Sequence, residues 1–235
     1  MTSPILITGA SQRLGLAMAD SLLEEGNAVV VTYRTLRPTI EKLKDKGATA
    51  IYADFSTEQA IDRAIDDIKA ASESYRAIIH NASDWAQEKD HADKHSLFNR
   101  MMNVHALAPY RINLALAHSL SNQDSFSDII HMTDYVQDTG SEKHMAYAAS
   151  KAALHNLTLS FAKKLAPHVK VNSIVPALLM FNEGDDEAYK QKALKKSLLE
   201  TVPGAQEAVK AMHYLLNSDY ITGQTLHLNG GRHLK

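Results

Sequence analysis

Short runs of consecutive apolar residues alternate along this chain with longer segments whose apolar positions recur at helical spacing. Ile5–Thr8, Ala28–Tyr33, Thr49–Tyr52, Ala77–His80, Asp128–Met132, Val169–Val175 and Thr225–Leu228 carry the strand pattern. Leu14–Glu25, Glu58–Ala71, Asn99–Leu120, Tyr147–Leu165 and Ala205–Leu216 carry the helical one. Strands that are apolar at successive positions are covered on both faces, as in a parallel sheet flanked by helices. The pattern therefore predicts a doubly wound α/β fold with about seven strands, a single domain over residues 1–235. Residues 180–196 are ambiguous. They open on the polar, acidic stretch FNEGDDE, after a strand end and before the last helix. They read either as a lid over a ligand crevice or as a plain surface loop.

Composition narrows the class. The 235 residues are 45% hydrophobic and 22% charged, enough for a sizeable core. A formal net charge of -2 gives no reason to expect nucleic acid or an anionic membrane as partner. There is no cysteine, and no run approaches the length of a membrane span. The start MTSP runs directly into Ile5-Leu6-Ile7 without the pattern of a secretory signal, so a cytoplasmic location is expected. The histidines are scattered without metal-ligand spacing, and no metal site is expected.

Candidate chemistry lies in TDYVQDTGSEKHMAYAASK, which holds Asp134, Tyr147 and Lys151. Tyr-x-x-x-Lys sets a phenol and an ammonium on one helix face. A nearby ammonium lowers the phenol from its ordinary pKa of about 10, which makes it a usable acid, and Asp134 can pass protons inward. The segment ILITGASQRLGLAM is a strand, a tight turn and a helix. Gly9 and Gly15 let its backbone approach a pyrophosphate at the helix N-terminus, with Ser11, Arg13 and Leu14 between them. Arg13 reads as a guanidinium for phosphate and for a ligand stacked on the cofactor, or as a solvated arginine. The second strand ends in Tyr33-Arg34-Thr35 where an NAD site would place an acid, which favours a 2′-phosphate and hence NADPH. Arg34 could instead simply cap the strand. Asp54 and Phe55 could contact adenine, or serve as a helix cap and a core residue.

Taken in order, TGASQRLG (8–15), ADFS (53–56), HNAS (80–83), Asn103, Tyr147 with Lys151, VNSIVPA (171–177) and ITGQTLHLNGG (221–231) resemble the short-chain dehydrogenase/reductase family over essentially the whole chain. The resemblance implies a Rossmann-type domain, usually in a homotetramer. It implies that Asn81, with Ala82 and Ser83, lines the cofactor site, and that Asn103 supports a relay water through its helix backbone. It also implies that Tyr147 is the acid and that Lys151 binds the nicotinamide ribose. Pro176, followed here by Ala177 rather than glycine, marks the sharp exit of the sixth strand. Three departures resemble the pteridine reductase branch: Arg13 replaces a glycine, Asp134 replaces the usual serine, and the Asn81-Ala82-Ser83 turn leads to Trp85. That branch implies NADPH-dependent reduction of a dihydropterin, with hydride to C6 and a proton to N5. A trihydroxypropyl side chain on the pterin and weak reduction of dihydrofolate are part of this expectation.

Asp134 suits that chemistry, because a carboxylate can hold and relay a proton towards a C=N nitrogen, although it could instead only orient Tyr147. Trp85 would stack on the pterin, or else be a core residue. Ser83 and Arg13 would bond the pterin edge and the cofactor phosphates. Tyr189, Asn182 and Glu183 either meet the substrate's hydroxyls or are solvated loop residues. Arg232-His233-Leu234 would reach a neighbouring subunit. The competing functions are a general carbonyl or ketoacyl reductase and a non-catalytic NADPH-binding protein.

Overall fold

The computed structural model describes residues 3–121 and 125–235. Seven strands form one parallel sheet in the order β3-β2-β1-β4-β5-β6-β7. They are β1 (Ile5–Ile7), β2 (Val29–Tyr33), β3 (Thr49–Tyr52), β4 (Ala77–His80), β5 (Ser127–Met132), β6 (Val169–Pro176) and β7 (Thr225–Leu228). Each agrees with its predicted run to within a residue or so at the ends. Strand order reverses between β1 and β4, which opens a crevice at their carboxyl ends.

Alternation of side chains explains the unbroken apolar runs. Ile5, Ile7, Val29, Val31 and Ile79 pack on one face, with α1 (Arg13–Glu24), α2 (Pro38–Asp45) and α9 (Gln206–Asn217). Leu6, Val30, Ile78 and Ile129 pack on the other, with α3 (Glu58–Ala71), α5 (Ala108–Ser121) and α7 (Met145–Leu165). Among the described residues, no helix is long and apolar enough to cross a membrane.

The structure departs from the predicted helices in three places. The expected single helix Asn99–Leu120 is instead α4 (Lys94–Met102), a π-turn at Asn103–Leu107, and α5. Pro109 lacks the N–H that an α-helix would donate to the carbonyl four residues back, and the wider turn directly precedes it. That turn points Val104, His105 and Ala106 inward in succession. In the ambiguous 180–196 stretch, α8 (Glu187–Leu194) forms behind Asp186, whose carboxylate caps the N–H of Tyr189 at 2.7 Å. A four-residue helix, α6 (Val136–Thr139), follows Asp134.

A polar line runs through the core. His80 donates from Nε2 to Asn113 Oδ1 (2.7 Å), Asn113 Nδ2 donates to His131 Nε2 (3.2 Å), and His131 Nδ1 donates to Thr158 Oγ1 (2.9 Å). Thr158 in turn donates to the Leu154 carbonyl. Burial lowers the pKa of His80 from 6.5 to about 4 and that of His131 well below 6.5. Both imidazoles thus stay neutral in the fold, while an unfolded chain would protonate them below pH 6.5. The stability they contribute is full above that pH and is lost as pH falls through the folded value near 4. The thermal midpoint, followed by circular dichroism, should therefore drop as pH falls from neutrality towards 4.5, by an amount worth about 2 kcal/mol or more in stability. His80→Gln should flatten that slope.

Candidate active site

The carboxyl ends of the strands surround a cleft of about 650 Å³. Its floor depends on close approach between the β1–α1 turn and the segment after β4. Gly9 has φ +70°, and a Cβ there would lie 2.7 Å from Ala82 Cα. A Cβ on Gly15 would lie 2.4 Å from Asn81 Nδ2, so neither position has room for a side chain. Asn81 Nδ2 donates to the Thr8 and Gly9 carbonyls at 3.1 and 2.8 Å. Thr8 Oγ1 accepts the N–H groups of Asn81 and Ala82, each at 3.0 Å. Such a cradle fits a dinucleotide pyrophosphate, which needs bare backbone at the amino end of α1.

Arg13 takes a left-handed φ of 54°. Its guanidinium crosses the cleft to Asn182 Oδ1 (2.8 Å) and to the carbonyls of Met180 and Phe181 (3.3 and 3.4 Å). Ser11, Leu14, Arg34 and Thr35 line the cleft, as do Ala82, Ser83, Phe55 and Pro176. Arg34 also lies 3.4 Å from Asp84. Arg37, which the sequence reading passed over, lines the same end and makes no ion pair among the described residues. A guanidinium pair fits a 2′-phosphate. Its signal was a second arginine in the same loop, TYRTLRP.

Gly15, Tyr33, Asp54 and Asn103 are not brought to the cleft wall. Gly15 sits beneath it. Tyr33 packs edge-on against Tyr52 (6.1 Å between centroids). Asp54 accepts from the N–H and hydroxyl of Ser56, both at 3.0 Å, while Thr57 caps α3. Asn103 donates its amide to the Ser56 carbonyl at 2.8 Å, so its side chain braces the π-turn.

At the other end of the cleft, Tyr147 Oη donates to Asp134 Oδ2 at 3.0 Å. The second oxygen of Asp134 accepts the Val136 N–H, which fixes the carboxylate. Lys151 is buried and donates to the Met132 carbonyl at 3.0 Å, with Nζ 5.6 Å from the Tyr147 ring centroid. Burial lowers its pKa to about 8 against the opposing pull of Asp134. The expectation that Lys151 lowers the tyrosine is not met in this geometry. Burial above all, and then the neighbouring Asp134 carboxylate, push Tyr147 well above 10.

Trp85 is not a core residue: it is 58% exposed, lines the cleft, and packs 4.5 Å from the His144 ring. From the 180–196 segment, Met180, Asn182 and Tyr189 line the cleft, whereas Glu183 does not. The reading of residues missed His105, which is buried beside Ser83 and edge-on to Tyr147 at 5.4 Å. A helix read straight through Pro109 gives no warning that this residue faces inward.

A Gly-turn cradle at the strand-order reversal and a buried Tyr-x-x-x-Lys pair define a nucleotide-dependent oxidoreductase, and the chain belongs to the short-chain dehydrogenase/reductase family. The family model described as enoyl-(acyl carrier protein) reductase matches residues 9–233. Among curated proteins, the chain is 52% identical to the dihydromonapterin reductase of Klebsiella pneumoniae subsp. pneumoniae over 99% of this chain and 97% of that one. It is 50% identical to the Escherichia coli dihydromonapterin reductase over the same shares. Among solved structures, FolM alternative dihydrofolate reductase 1 from Brucella canis, complexed with NADP, superposes with TM-score 0.88 at 25% identity, covering 100% of this chain and 95% of that one.

The raised Tyr147 has a direct test. Difference ultraviolet titration of the parent protein against Tyr147→Phe should show no phenolate from this residue up to pH 10. A step near neutral pH would mean that Lys151, not Asp134, governs the phenol.

Proposed function

We propose that this protein reduces 7,8-dihydromonapterin to 5,6,7,8-tetrahydromonapterin with NADPH, and reduces dihydrofolate weakly as a side activity. The observation that carries the reading is the Asp134 carboxylate hydrogen-bonded to Tyr147, where a carbonyl reductase of this family would have serine beside tyrosine. Relatives named dihydromonapterin reductase at about half identity support the same substrate.

Bound NADPH supplies a hydride to C6 of the C6=N5 bond, and this chain's residues manage the proton that N5 must gain. A phenol pushed above its ordinary range holds its proton tightly, so Tyr147 acts as an anchor for Asp134 and a water between them and the ligand. Asp134 then relays the proton inward. Lys151 takes the nicotinamide ribose, and Arg34 with Arg37 takes the 2′-phosphate. Trp85 covers the pterin face, and Ser83 and Arg13 meet its polar edge. Arg13, now holding the 180–196 segment, would exchange those carbonyls for phosphate. Asn182 and Tyr189 meet the side-chain hydroxyls. Exposed Phe98, Tyr110, Leu114 and Leu159 on α4, α5 and α7 support a homotetramer, which we place in the cytoplasm.

The test is NADPH oxidation with 7,8-dihydromonapterin and 7,8-dihydrofolate in parallel. A much higher kcat/KM for dihydromonapterin is expected, and turnover only with ketones would overturn the reading. Asp134→Ala should lower kcat by about 100-fold or more with NADPH affinity largely retained. Arg34→Ala and Arg37→Ala should each raise the KM for NADPH at least about tenfold while leaving that for NADH nearly unchanged. Equal changes with both dinucleotides would remove the 2′-phosphate from this end of the cleft.

A further inference from the structure

His105 lies 1% exposed in the π-turn, and every polar atom of its ring has a partner. Nε2 is 3.1 Å from the Asp84 backbone nitrogen. That N–H can only donate, so Nε2 is an acceptor and the ring hydrogen sits on Nδ1. Nδ1 donates to Ser150 Oγ at 2.8 Å, and the Ser150 hydroxyl donates to the Tyr147 carbonyl at 2.7 Å. Ser83 Oγ lies 2.9 Å from the same Nε2, which has no hydrogen to give. The serine hydrogen points at His105, the strongest base in reach, and shares the Nε2 lone pair with the Asp84 N–H. Its alternative intramolecular acceptors are the Asp84 carbonyl, farther at 3.4 Å, and the Tyr147 phenol oxygen, a weaker base than an imidazole nitrogen. Burial and the Lys151 charge hold His105 neutral, which keeps Nε2 free of a second hydrogen.

We propose that His105 is a specificity-determining residue. By holding the hydrogen of Ser83, it makes this cleft-lining hydroxyl present lone pairs to the ligand, and so selects a ligand edge carrying an N–H donor. The amino group and ring N–H of a pterin's pyrimidine edge have that character, whereas an isolated carbonyl oxygen does not. Ser83 lines the cleft but Ser150 does not, so the chemical character of one wall is set from behind it. The inference rests on the dihydropterin reading and names the group that recognises the donor edge.

Steady-state kinetics on the full-length enzyme with 7,8-dihydromonapterin and NADPH test it. The parent enzyme is assayed first, and absence of turnover there would defeat the functional reading before any variant is compared. Ser83→Ala and His105→Phe are each expected to raise the pterin KM at least about tenfold, the cost of an unmade hydrogen bond in a dry site, with the NADPH KM within about twofold. The double variant should be no worse than Ser83→Ala alone, since both changes remove one interaction. His105→Gln, whose amide oxygen can accept from Ser83 and Asp84, should restore most of the affinity. Ser150→Ala, which never meets the ligand, should raise the pterin KM several-fold by releasing Nδ1, and it serves if His105→Phe does not fold. Additive effects in the double variant, or an unchanged pterin KM in Ser150→Ala, would overturn the proposal. An unchanged pterin KM in Ser83→Ala would remove Ser83 from the ligand and the proposal with it.

Discussion

Everything at this site depends on how closely two loops approach at the strand-order reversal. The β1–α1 turn and the segment after β4 touch through backbone, and they can do so only because residues 9 and 15 lack a Cβ. Close approach alone would strand polar groups away from water, at a cost comparable to a lost hydrogen bond for each. Asn81 and Thr8 remove that cost by satisfying two carbonyls and two N–H groups of the turn region from the side. The loops are thereby fixed without using the N–H groups at the start of α1, which stay free to receive an anion.

On this floor, charge is distributed unevenly. The chain is slightly acidic overall, yet the cleft wall carries Arg13, Arg34, Arg37 and Lys151 against Asp134, its one carboxylate among the described residues. A polyanionic dinucleotide is attracted to such a wall. The lone carboxylate then has a defined place. It is held by the Val136 N–H and by Tyr147, at the end of the cleft opposite Arg34 and Arg37. A serine in its place could donate a hydrogen bond but could not hold a proton in transit, and this is why a single residue type weighs so heavily in assigning the chemistry.

The central strands β1, β2, β4, β5 and β6 were legible because a parallel strand buried on both faces leaves apolar residues at successive positions. The Tyr147 and Lys151 pair was legible because the two residues are four apart on one helix. Legibility failed where tertiary context decides. Pro109 perturbs a helix whose apolar positions still look continuous, so the inward turn of His105 was hidden. Residues 187–194 are polar and mostly exposed, so their helix depends on the Asp186 cap rather than on an apolar stripe. The Tyr147 shift was misjudged for a related reason. Spacing gives the lysine as a neighbour, but only the fold shows that Lys151 is turned to the Met132 carbonyl while Asp134 takes the phenol.

The buried polar residues around α7 share a consequence. The line from His80 through Asn113, His131 and Thr158 ends on the Leu154 carbonyl, and the line from Ser83 through His105 and Ser150 ends on the Tyr147 carbonyl. Lys151 leaves the same helix for the Met132 carbonyl on β5. Apolar packing is non-directional, and by itself it would let α7 turn or slide slightly over the sheet. Directional bonds from the sheet and from the neighbouring α5 and π-turn oppose both motions, each with a penalty if a buried group loses its partner. Tyr147 and Lys151 are carried on the helix so restrained, and the placement of the phenol against Asp134 follows in large part from polar groups buried behind the cleft, His105, Ser150, His131 and Thr158.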